Sequence, residues 1–390
     1  MRTARMHLRG ALASSLLVLC LAAGASCDTF GGTDTGRAFK RLQRSPNHNG
    51  NRFINPIPTP MTQGGRLFRR MIRFVTEKGQ RVPPAQPPVQ RRRRADYDEA
   101  PRGGLRVTWF GHSTMLLEID GMRVLTDPIF SQRCSPTQAV GPKRFAPTPM
   151  RIDELPHLDA IVISHDHYDH LDTASIKALA KRRGLRFFVP LGVAAHLRKW
   201  GVAGERIVQL DWWQRTQVGN LTLACTPARH FSGRGLNDRN KTLWASWAIV
   251  GPKHRVYFGG DTGMFPGFSE IGRKYGPFDI TLMPIGAYDV AWQPIHLNPE
   301  EAVRAHHMLR GKLMVPIHWG TFNLALHDWD EPARRLVLAA KQQGAEIATP
   351  VVGQMVTPPP PAPPTQPWWE QVKKSAPALQ AEAARTAATQ

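Results

Sequence analysis

The chain has 390 residues, 42% of them hydrophobic, and a formal net charge of +21 at pH 7. This length and apolar content allow one large domain or two ordinary ones with a proper core. Four cysteines in such a chain exclude a disulfide framework, and we expect Cys134 and Cys225 to be buried free thiols rather than a pair. The positive charge favours anionic partners such as lipid head groups, nucleic acid or phosphorylated substrates.

Residues 1–25 are predicted to be a secretory signal peptide. Arg2, Arg5 and Arg9 precede an apolar run over residues 11–25 that is short for a stable membrane span. Cys27 offers an alternative, a lipid-modified amino terminus that would anchor the chain, and an uncleaved signal anchor is a third. The pattern predicts an exported protein, either periplasmic or membrane-associated.

Residues 26–104 form a Pro- and Arg-rich extension with little periodicity. Residues 53–58 are predicted to be extended, and residues 67–75 to form a short amphipathic helix. The basic run at residues 91–94, in PPAQPPVQRRRR, is not expected to pack a core. It is either a solvated linker or a contact with an anionic membrane surface, which contributes about 1 kcal/mol per basic side chain.

Residues 105–356 are expected to form the catalytic domain, and residues 357–390 a Pro- and Ala-rich tail with helix from Trp368 onward. Asp120 and Gly121 predict a hairpin turn. Short apolar or alternating runs predict strands at 105–110, 115–119, 122–126, 160–163, 186–190, 221–226, 246–250, 254–259 and 313–317. Helical spacing predicts helices at 174–182, 193–200, 299–309 and 331–343. Strand meanders broken by intermittent helices favour a layered α/β sandwich over a doubly wound sheet.

The stretch AIVISHDHYDHLD, residues 160–172, carries the strongest chemical signal. His165, His167, Asp169 and His170 follow directly after an apolar run typical of a buried strand. Imidazoles and a carboxylate at a strand end are the ligands that zinc uses, and two close ligand groups can hold two ions that share a water. This stretch predicts a transition-metal site.

Three later residues are candidates to complete the site. His230, Asp261 and His318 each follow an apolar strand and lie in a turn rich in Gly or Pro. Strand ends are rigid, and the loops after them place side chains without disturbing a core. Each residue alone is an ordinary turn residue, but their joint occurrence after the first cluster predicts a single metal centre.

HDHYDH matches the HxHxDH motif of the metallo-β-lactamase superfamily, and the later His, Asp and His follow in that superfamily's order. The resemblance implies an αββα four-layer sandwich. Over residues 105–356 the strings VTWFGHST, LTDPIF, GPKRF, LDWW, GGDTG, PIGAY, NPEEA and IHWGTF extend it. Together they resemble the N-acyl-phosphatidylethanolamine-hydrolysing phospholipases D.

The resemblance implies two Zn²⁺ ions per chain, held by seven residues. One ion would be bound by His165, His167 and His230, the other by Asp169, His170 and His318, with Asp261 bridging the two. The His/Asp set also suits iron or manganese, so the sequence leaves the identity of the ions open.

Three more residues receive roles from the same resemblance. Asp127 would orient a ligand imidazole, Tyr168 would project toward the substrate, and His296 would lie over the site near the phosphate. Asp169, Asp261 and His296 are thus the expected catalytic residues. The loop over residues 288–296 is shorter than in the mammalian enzyme, and Ile295 stands where that family has Gln, so the head-group contacts do not carry over. Trp109, Phe110, Trp292 and Phe322 could line an acyl groove, although ordinary core packing is the favoured role for any one of them.

The implied activity is hydrolysis of a phosphodiester by a hydroxide that bridges the two ions, releasing phosphatidic acid and an N-acylethanolamine. The alternative on the same fold is a lactonase or another carboxyl-ester hydrolase. A third alternative is a lipid- or nucleic-acid-binding surface protein whose basic tracts carry the function. The expected partners are a phospholipid or other phosphodiester substrate and an anionic membrane surface, with no nucleic acid. The sequence is compatible with a homodimer but does not fix the oligomeric state.

Overall fold

Two sheets of seven strands each form the centre of this computed structural model. It describes residues 28–60, 73, 76, 79–290, 292–358 and 364–374. The first sheet contains β1 (Leu105–Trp109), β2 (Met115–Ile119), β3 (Met122–Thr126), β4 (Ala160–Val162), β5 (Arg186–Pro190), β6 (Ile207–Leu210) and β14 (Met355–Val356). The second contains β7 (Arg215–Val218), β8 (Leu221–Thr226), β9 (Ser246–Val250), β10 (Arg255–Phe258), β11 (Phe278–Pro284), β12 (Gly311–Ile317) and β13 (Glu346–Ile347).

Both sheets are mixed. The first has the order β14-β1-β2-β3-β4-β5-β6, and its strands β3 to β6 run parallel. The second has the order β13-β12-β11-β10-β9-β8-β7, and its strands β10 to β13 run parallel. Strand β4 is buried along its whole length, as expected for a strand with parallel neighbours on both sides.

The helices cover the sheets on both sides. They are α1 (Gly36–Gln43), α2 (Thr173–Ala180), α3 (Ala194–Lys199), α4 (Gly267–Tyr275), α5 (Pro299–Met308) and α6 (Glu331–Gln343). Short 3₁₀ turns occur at Arg94–Tyr97, Gly204–Arg206 and Gln293–Ile295. Apolar side chains of α2 and α3 pack on the first sheet, and those of α4, α5 and α6 belong to the core around the second. The αββα sandwich expected from the sequence is confirmed.

The hairpin turn at Asp120 and Gly121 joins the two sheets. Both residues have positive φ, 50° and 86°, as a two-residue turn of this type requires. The Asp120 carboxylate accepts hydrogen bonds from Lys253 N at 2.9 Å, His254 N at 3.0 Å and His254 Nδ1 at 2.6 Å. The turn of the first sheet is therefore fastened to the β9–β10 turn of the second.

Most predicted strands and helices are confirmed with ends shifted by one or two residues. Several elements were not predicted: α1, α4, β6, β7, β11, β13 and β14. The sequence of α4 contains two glycines, which lower helix propensity, and β7 is a polar strand at the sheet edge. Cys134 and Cys225 are buried free thiols, as expected. Residues 1–27, and the predicted helix at 67–75 apart from residue 73, lie outside the described residues.

The segments that flank the sandwich pack against it. Phe53 and Tyr97 are fully buried, and Arg92 Nε donates to Gly353 O at 2.5 Å. Within PPAQPPVQRRRR itself, Ala85 and Val89 are partly buried against the main core, so the expectation that this segment packs no core is wrong. Arg91, Arg93 and Arg94 themselves are exposed.

The carboxyl-terminal residues 364–374 also pack on the sandwich. Trp368 and Trp369 are 4% and 1% exposed, and residues 368–374 are helical, as predicted from Trp368 onward. Lys373 Nζ lies 2.7 Å from the fully buried carboxylate of Asp330, directly before α6. Among the described residues, no helix is long and apolar enough to cross a membrane.

Candidate metal centre

The loop after β4 holds the first cluster of candidate ligands. It contains His165, His167, Asp169 and His170 and ends at Asp172, whose side chain accepts a hydrogen bond from Ser175 N at 3.1 Å and so caps α2. The loop is thus fixed between a buried strand and a capped helix.

Three imidazoles form one ligand group on this loop and the loop after β8. His165 Nε2 lies 2.8 Å from His167 Nδ1, and His230 Nε2 lies 3.3 Å from the same atom. The ligand atoms of a tetrahedral zinc ion, each about 2.0–2.1 Å from the metal, are about 3.4 Å apart. The spacing of these three side chains therefore suits one ion.

A second group surrounds the carboxylate of Asp169. Its Oδ2 lies 3.4 Å from His170 Nε2, 3.3 Å from His318 Nε2 and 3.0 Å from His112 Nε2. All four side chains offer ligand atoms within 4.8 Å of one another. His112 was not among the predicted site residues.

Asp261 lies between the two groups. Its Oδ2 is 3.1 Å from His318 Nε2 and 3.3 Å from His170 Nε2 on one side. On the other side it is 3.7 Å from His230 Nε2 and 4.0 Å from His165 Nε2. The structure thus brings all seven predicted ligands together, with this carboxylate between the two groups.

His112 enters the site from the end of β1. It has φ 54°, an uncommon conformation for a residue other than glycine, and its side chain is buried. Its N–H donates to Thr321 Oγ1 at 2.6 Å, and its carbonyl accepts from Trp109 Nε1 at 3.0 Å and His318 N at 3.1 Å. The signal available in the sequence was its position, since it follows an apolar strand, as the later ligands do.

A hydrogen bond from the Nδ1 atom of the ring orients each of two candidate ligands. His170 Nδ1 donates to Asp127 Oδ2 at 2.6 Å, and His230 Nδ1 donates to Ile295 O at 2.9 Å. Asp127 is fully buried, and its Oδ1 accepts from Ser164 N at 2.7 Å. Such contacts fix the tautomer and leave Nε2 for a metal ion.

The electrostatics of the cluster fit a divalent cation. Burial lowers the pKa of His165 and His230 well below the usual range, which keeps them in the neutral form that binds metal. Burial also acts to lower the pKa of His318, but Asp261 and Asp169 outweigh it and raise that pKa to about 9. The same two carboxylates raise the pKa of His170 well above its usual value against the effect of burial. The carboxylates thus favour positive charge at the centre of the cluster.

Two buried polar atoms support the same conclusion. Asp261 Oδ1 and His170 Nε2 have no hydrogen-bond partner among the residues that the structure describes. Buried polar atoms are nearly always paired, and metal coordination would satisfy both of these. The residues present therefore fit a metal centre.

The other predicted site residues lie around the cluster. His296 Nδ1 is 3.9 Å from Asp261 Oδ2, and its ring centroid is 5.1 Å from that of His230. The hydroxyl of Tyr168 donates to Arg234 O at 2.9 Å, and the Arg234 guanidinium lies 4.0 Å from the centroid of its ring. The catalytic role of His296 and the substrate contact of Tyr168 stay predictions.

The aromatic side chains named as groove candidates divide into two kinds. Trp109 and Phe110 are fully buried in the core. Phe322 is 7% exposed, and its ring centroid lies 5.3 Å from that of His112, so it packs directly against the ligand cluster. Trp292 is half-buried and donates from Nε1 to Ala287 O at 2.6 Å.

Fold and site together define a metal-dependent hydrolase of the metallo-β-lactamase superfamily. The chain belongs to this superfamily, because the model of the β-lactamase superfamily domain matches residues 122–319. A solved structure of the metallo hydrolase Igni18 from Ignicoccus hospitalis shares the fold, with a TM-score of 0.50 and 24% identity. That match covers 65% of this chain and 97% of the archaeal one.

Three proteins are similar to this chain in sequence. An uncharacterized protein of Mycobacterium tuberculosis is 50% identical over 348 residues, which is 87% of this chain and 91% of the relative. N-acyl-phosphatidylethanolamine-hydrolyzing phospholipase D 1 of Caenorhabditis elegans is 36% identical over 304 residues, 73% of this chain and 85% of the relative. Outer membrane protein RomA of Klebsiella pneumoniae is 47% identical over 100 residues, 26% of this chain and 75% of the relative.

Proposed function

We propose that the protein is a binuclear zinc phosphodiesterase that hydrolyses N-acyl-phosphatidylethanolamine-like phospholipids in the manner of a phospholipase D. The observation that carries the proposal is the position of Asp261 Oδ2 between two groups of imidazoles, at 3.1–4.0 Å from four of them. The nematode relative, 36% identical, supports the choice of substrate. The charge of +21 is consistent with an anionic phospholipid.

Each residue of the site has a proposed role that follows from its position. His165, His167 and His230 would hold one ion, Asp169, His170 and His318 the other, and Asp261 would bridge them. When bound by these residues, the ions would supply a water of near-neutral pKa as the nucleophile and polarise the phosphoryl oxygens. His296 lies beside Asp261 with its side chain 11% exposed, and in this proposal it would donate a hydrogen bond to a phosphate oxygen. Burial lowers the pKa of His296 to about 4, so it meets the substrate as a neutral imidazole.

Two substitutions test the metal-dependent mechanism. We expect Asp169→Asn and His318→Ala to lower kcat/KM for a phosphodiester by at least about 100-fold, because each removes a metal ligand. Metal content by mass spectrometry should fall from two ions per chain in the same variants. Asp153→Asn and His157→Ala change exposed side chains and serve as matched controls. Both should retain the wild-type kcat/KM and the wild-type metal content. Full activity in both ligand variants would exclude the mechanism.

A substrate comparison separates the phosphodiesterase from a lactonase or another carboxyl-ester hydrolase. Wild-type protein loaded with zinc is assayed with an N-acyl-phosphatidylethanolamine in mixed micelles, bis-p-nitrophenyl phosphate and a lactone. Release of phosphatidic acid and an N-acylethanolamine is the expected result. Turnover of the lactone alone would replace the proposed function with the alternative, and zinc-free protein is the control in all three assays.

We also propose that the protein works at an anionic membrane surface after export. The support is the exposure of Arg91, Arg93 and Arg94 and the relation to an outer membrane protein. Replacing these three arginines with glutamine should weaken binding to phosphatidylglycerol vesicles at low salt, while binding to neutral phosphatidylcholine vesicles stays at its low value. If the wild type and the triple variant bind anionic vesicles equally well, the three arginines do not contribute to the membrane contact. Mass spectrometry of the mature amino terminus tests cleavage near residue 25 and lipidation of Cys27.

A further inference from the structure

Residues 47–59 of the extension form a strap across the loop that carries His230. Phe53 N donates to Asn240 O at 2.9 Å, and Asn240 Nδ2 donates back to Phe53 O at 3.3 Å. Lys241 Nζ donates to Asn51 O at 2.9 Å, and the fully buried Phe53 ring packs in the main core. The strap is thus anchored to the far end of the loop, away from the metal ligands.

Asn55 of the strap clamps the backbone of His230. Its Oδ1 accepts from His230 N at 2.9 Å, and its Nδ2 donates to His230 O at 2.8 Å. The neighbouring Arg229 makes two more contacts with the strap, from Nε to Thr59 Oγ1 at 2.9 Å and from Nη2 to Pro58 O at 3.1 Å. One amide therefore satisfies both backbone groups of a candidate metal ligand.

The clamp and the ring contact together fix the whole residue. His230 Nδ1 donates to Ile295 O, which sets the rotation of the ring, while Asn55 sets the direction of the backbone from which the ring projects. His230 is fully buried, and removing the amide would take away the hydrogen-bond partners that Asn55 gives its N–H and its C=O. In this arrangement His230 Nε2 lies 3.3 Å from His167 Nδ1.

We propose that Asn55 is a positioning residue for the ion held by His165, His167 and His230, and that the strap is a working part of the metal centre. Asn55 lies outside residues 122–319, the part that matches the superfamily domain. The inference rests on the proposed function only in requiring that His230 binds a metal ion.

The test uses two substitutions in the full-length protein. Asn55→Asp keeps the size and the acceptor of the side chain but replaces the donor with an oxygen that faces His230 O. Asn55→Ala removes both hydrogen bonds and serves as the second variant. The matched control is Asn49→Ala, because Asn49 Oδ1 accepts from Asn51 N and Arg52 N within the strap and leaves His230 untouched.

Zinc affinity is measured by competition with a chromophoric chelator, and the geometry of the site by the visible absorption of the cobalt-substituted protein. Loss of a contact that orients a ligand typically costs 10–100-fold in metal affinity. We therefore expect one of the two zinc equivalents to bind about 10–100-fold more weakly in both Asn55 variants, with the other unchanged. The cobalt spectrum should change in these variants and stay as in the wild type in Asn49→Ala.

The outcomes separate this inference from the function on which it rests. Wild-type zinc affinity and cobalt spectra in both Asn55 variants would overturn the positioning role and leave the proposed function standing. An equal loss of both zinc equivalents, accompanied by a lower melting temperature of the metal-free protein, would also overturn it, because it would mean a general loosening of the fold. A wild-type protein that binds no zinc would overturn the proposed function and this inference together.

Discussion

Single side chains in this site depend on partners that a sequence motif does not contain. His112 is the clearest example, since its Nε2 lies 3.0 Å from Asp169 Oδ2 while its backbone is held by Trp109, His318 and Thr321. A carboxylate only accepts hydrogen bonds, so the imidazole donates through Nε2. Burial and the neighbouring His318 lower the pKa of His112 to about 3, although Asp169 opposes the effect. His112 is therefore a neutral donor that orients the carboxylate of a candidate ligand.

This role of His112 predicts a graded effect of substitution. His112→Ala should weaken zinc binding at the Asp169 group by about 10–100-fold, since the carboxylate loses the donor that orients it. His112→Gln retains an N–H donor and should recover part of the affinity. Chelator competition measures both variants, with His157→Ala as the surface control. If His112→Ala binds zinc as tightly as the wild type, the hydrogen bond has no part in the site; if glutamine gives no recovery, His112 acts other than as a donor.

At the scale of elements, strand ends assemble the site. Strands β1, β4, β8, β10 and β12 each lead into a loop that supplies one or more of the clustered side chains. Each ligand group takes side chains from both sheets, so the relative position of the sheets determines the spacing of the ligands within each group. The contacts between Asp120 and the β9–β10 turn are one fixed point between the sheets, at the opposite end of β2 and β3 from the loops.

The Asp120 contact predicts a dependence of stability on pH. Burial acts to raise the pKa of this carboxyl, but hydrogen bonds from Lys253 and His254 outweigh it and hold the pKa below its usual value of 3.8. Because the folded pKa is the lower one, the carboxylate stabilises the fold above about pH 4 and this contribution disappears as the pH falls through the folded pKa. Asp120→Asn keeps the shape and the tolerance for positive φ but removes the charge.

Urea denaturation between pH 7 and pH 3 measures this contribution. The midpoint of Asp120→Asn should lie below that of the wild type at pH 7, and the difference should shrink as the pH approaches 3. Asp98→Asn, which removes an exposed carboxylate, is the matched control and should show a smaller difference. A constant difference at every pH would mean that the charge of Asp120 adds nothing to stability.

The site residues that could be predicted from the sequence are those that lie close together in the chain or directly after an apolar strand. His165, His167, Asp169 and His170 lie within six positions, and the later ligands each follow a strong strand signal. His112 follows a strand as well, but a single histidine after a glycine has too many ordinary explanations. Asn55 contacts a residue 175 positions away, and no local pattern marks such a pair.

The fold was predictable for a similar reason. Strands with long apolar runs and α6, with its left-handed Gly344 at the carboxyl end, carry local signals. The polar edge strand β7 and the glycine-containing helix α4 do not, because their conformation follows from packing against neighbours. The flanking segments were underestimated because their proline-rich composition hides the few aromatic residues that pack on the sandwich.

At the scale of the whole molecule, the carboxyl-terminal segment is part of the core around the metal centre. The Trp368 ring centroid lies 5.3 Å from that of Trp319 and 6.0 Å from that of Trp329. Trp319 directly follows the candidate ligand His318 and stacks on Trp109 with centroids 5.5 Å apart. Side chains from β1, the loop after β12 and residues 364–374 therefore meet behind the ligand cluster.

This packing predicts that Trp368→Ala lowers the free energy of unfolding by about 3–5 kcal/mol, since it leaves a cavity between buried rings. Urea denaturation of the metal-free protein gives the value without a contribution from bound ions. Leu338→Ala is the control, because Leu338 is 60% exposed on α6 and its removal should cost less than about 0.5 kcal/mol. The same Trp368 variant should also bind zinc more weakly, because Trp319 loses a neighbour next to His318. Equal stability of the two alanine variants would show that the terminal segment rests on the sandwich without supporting it.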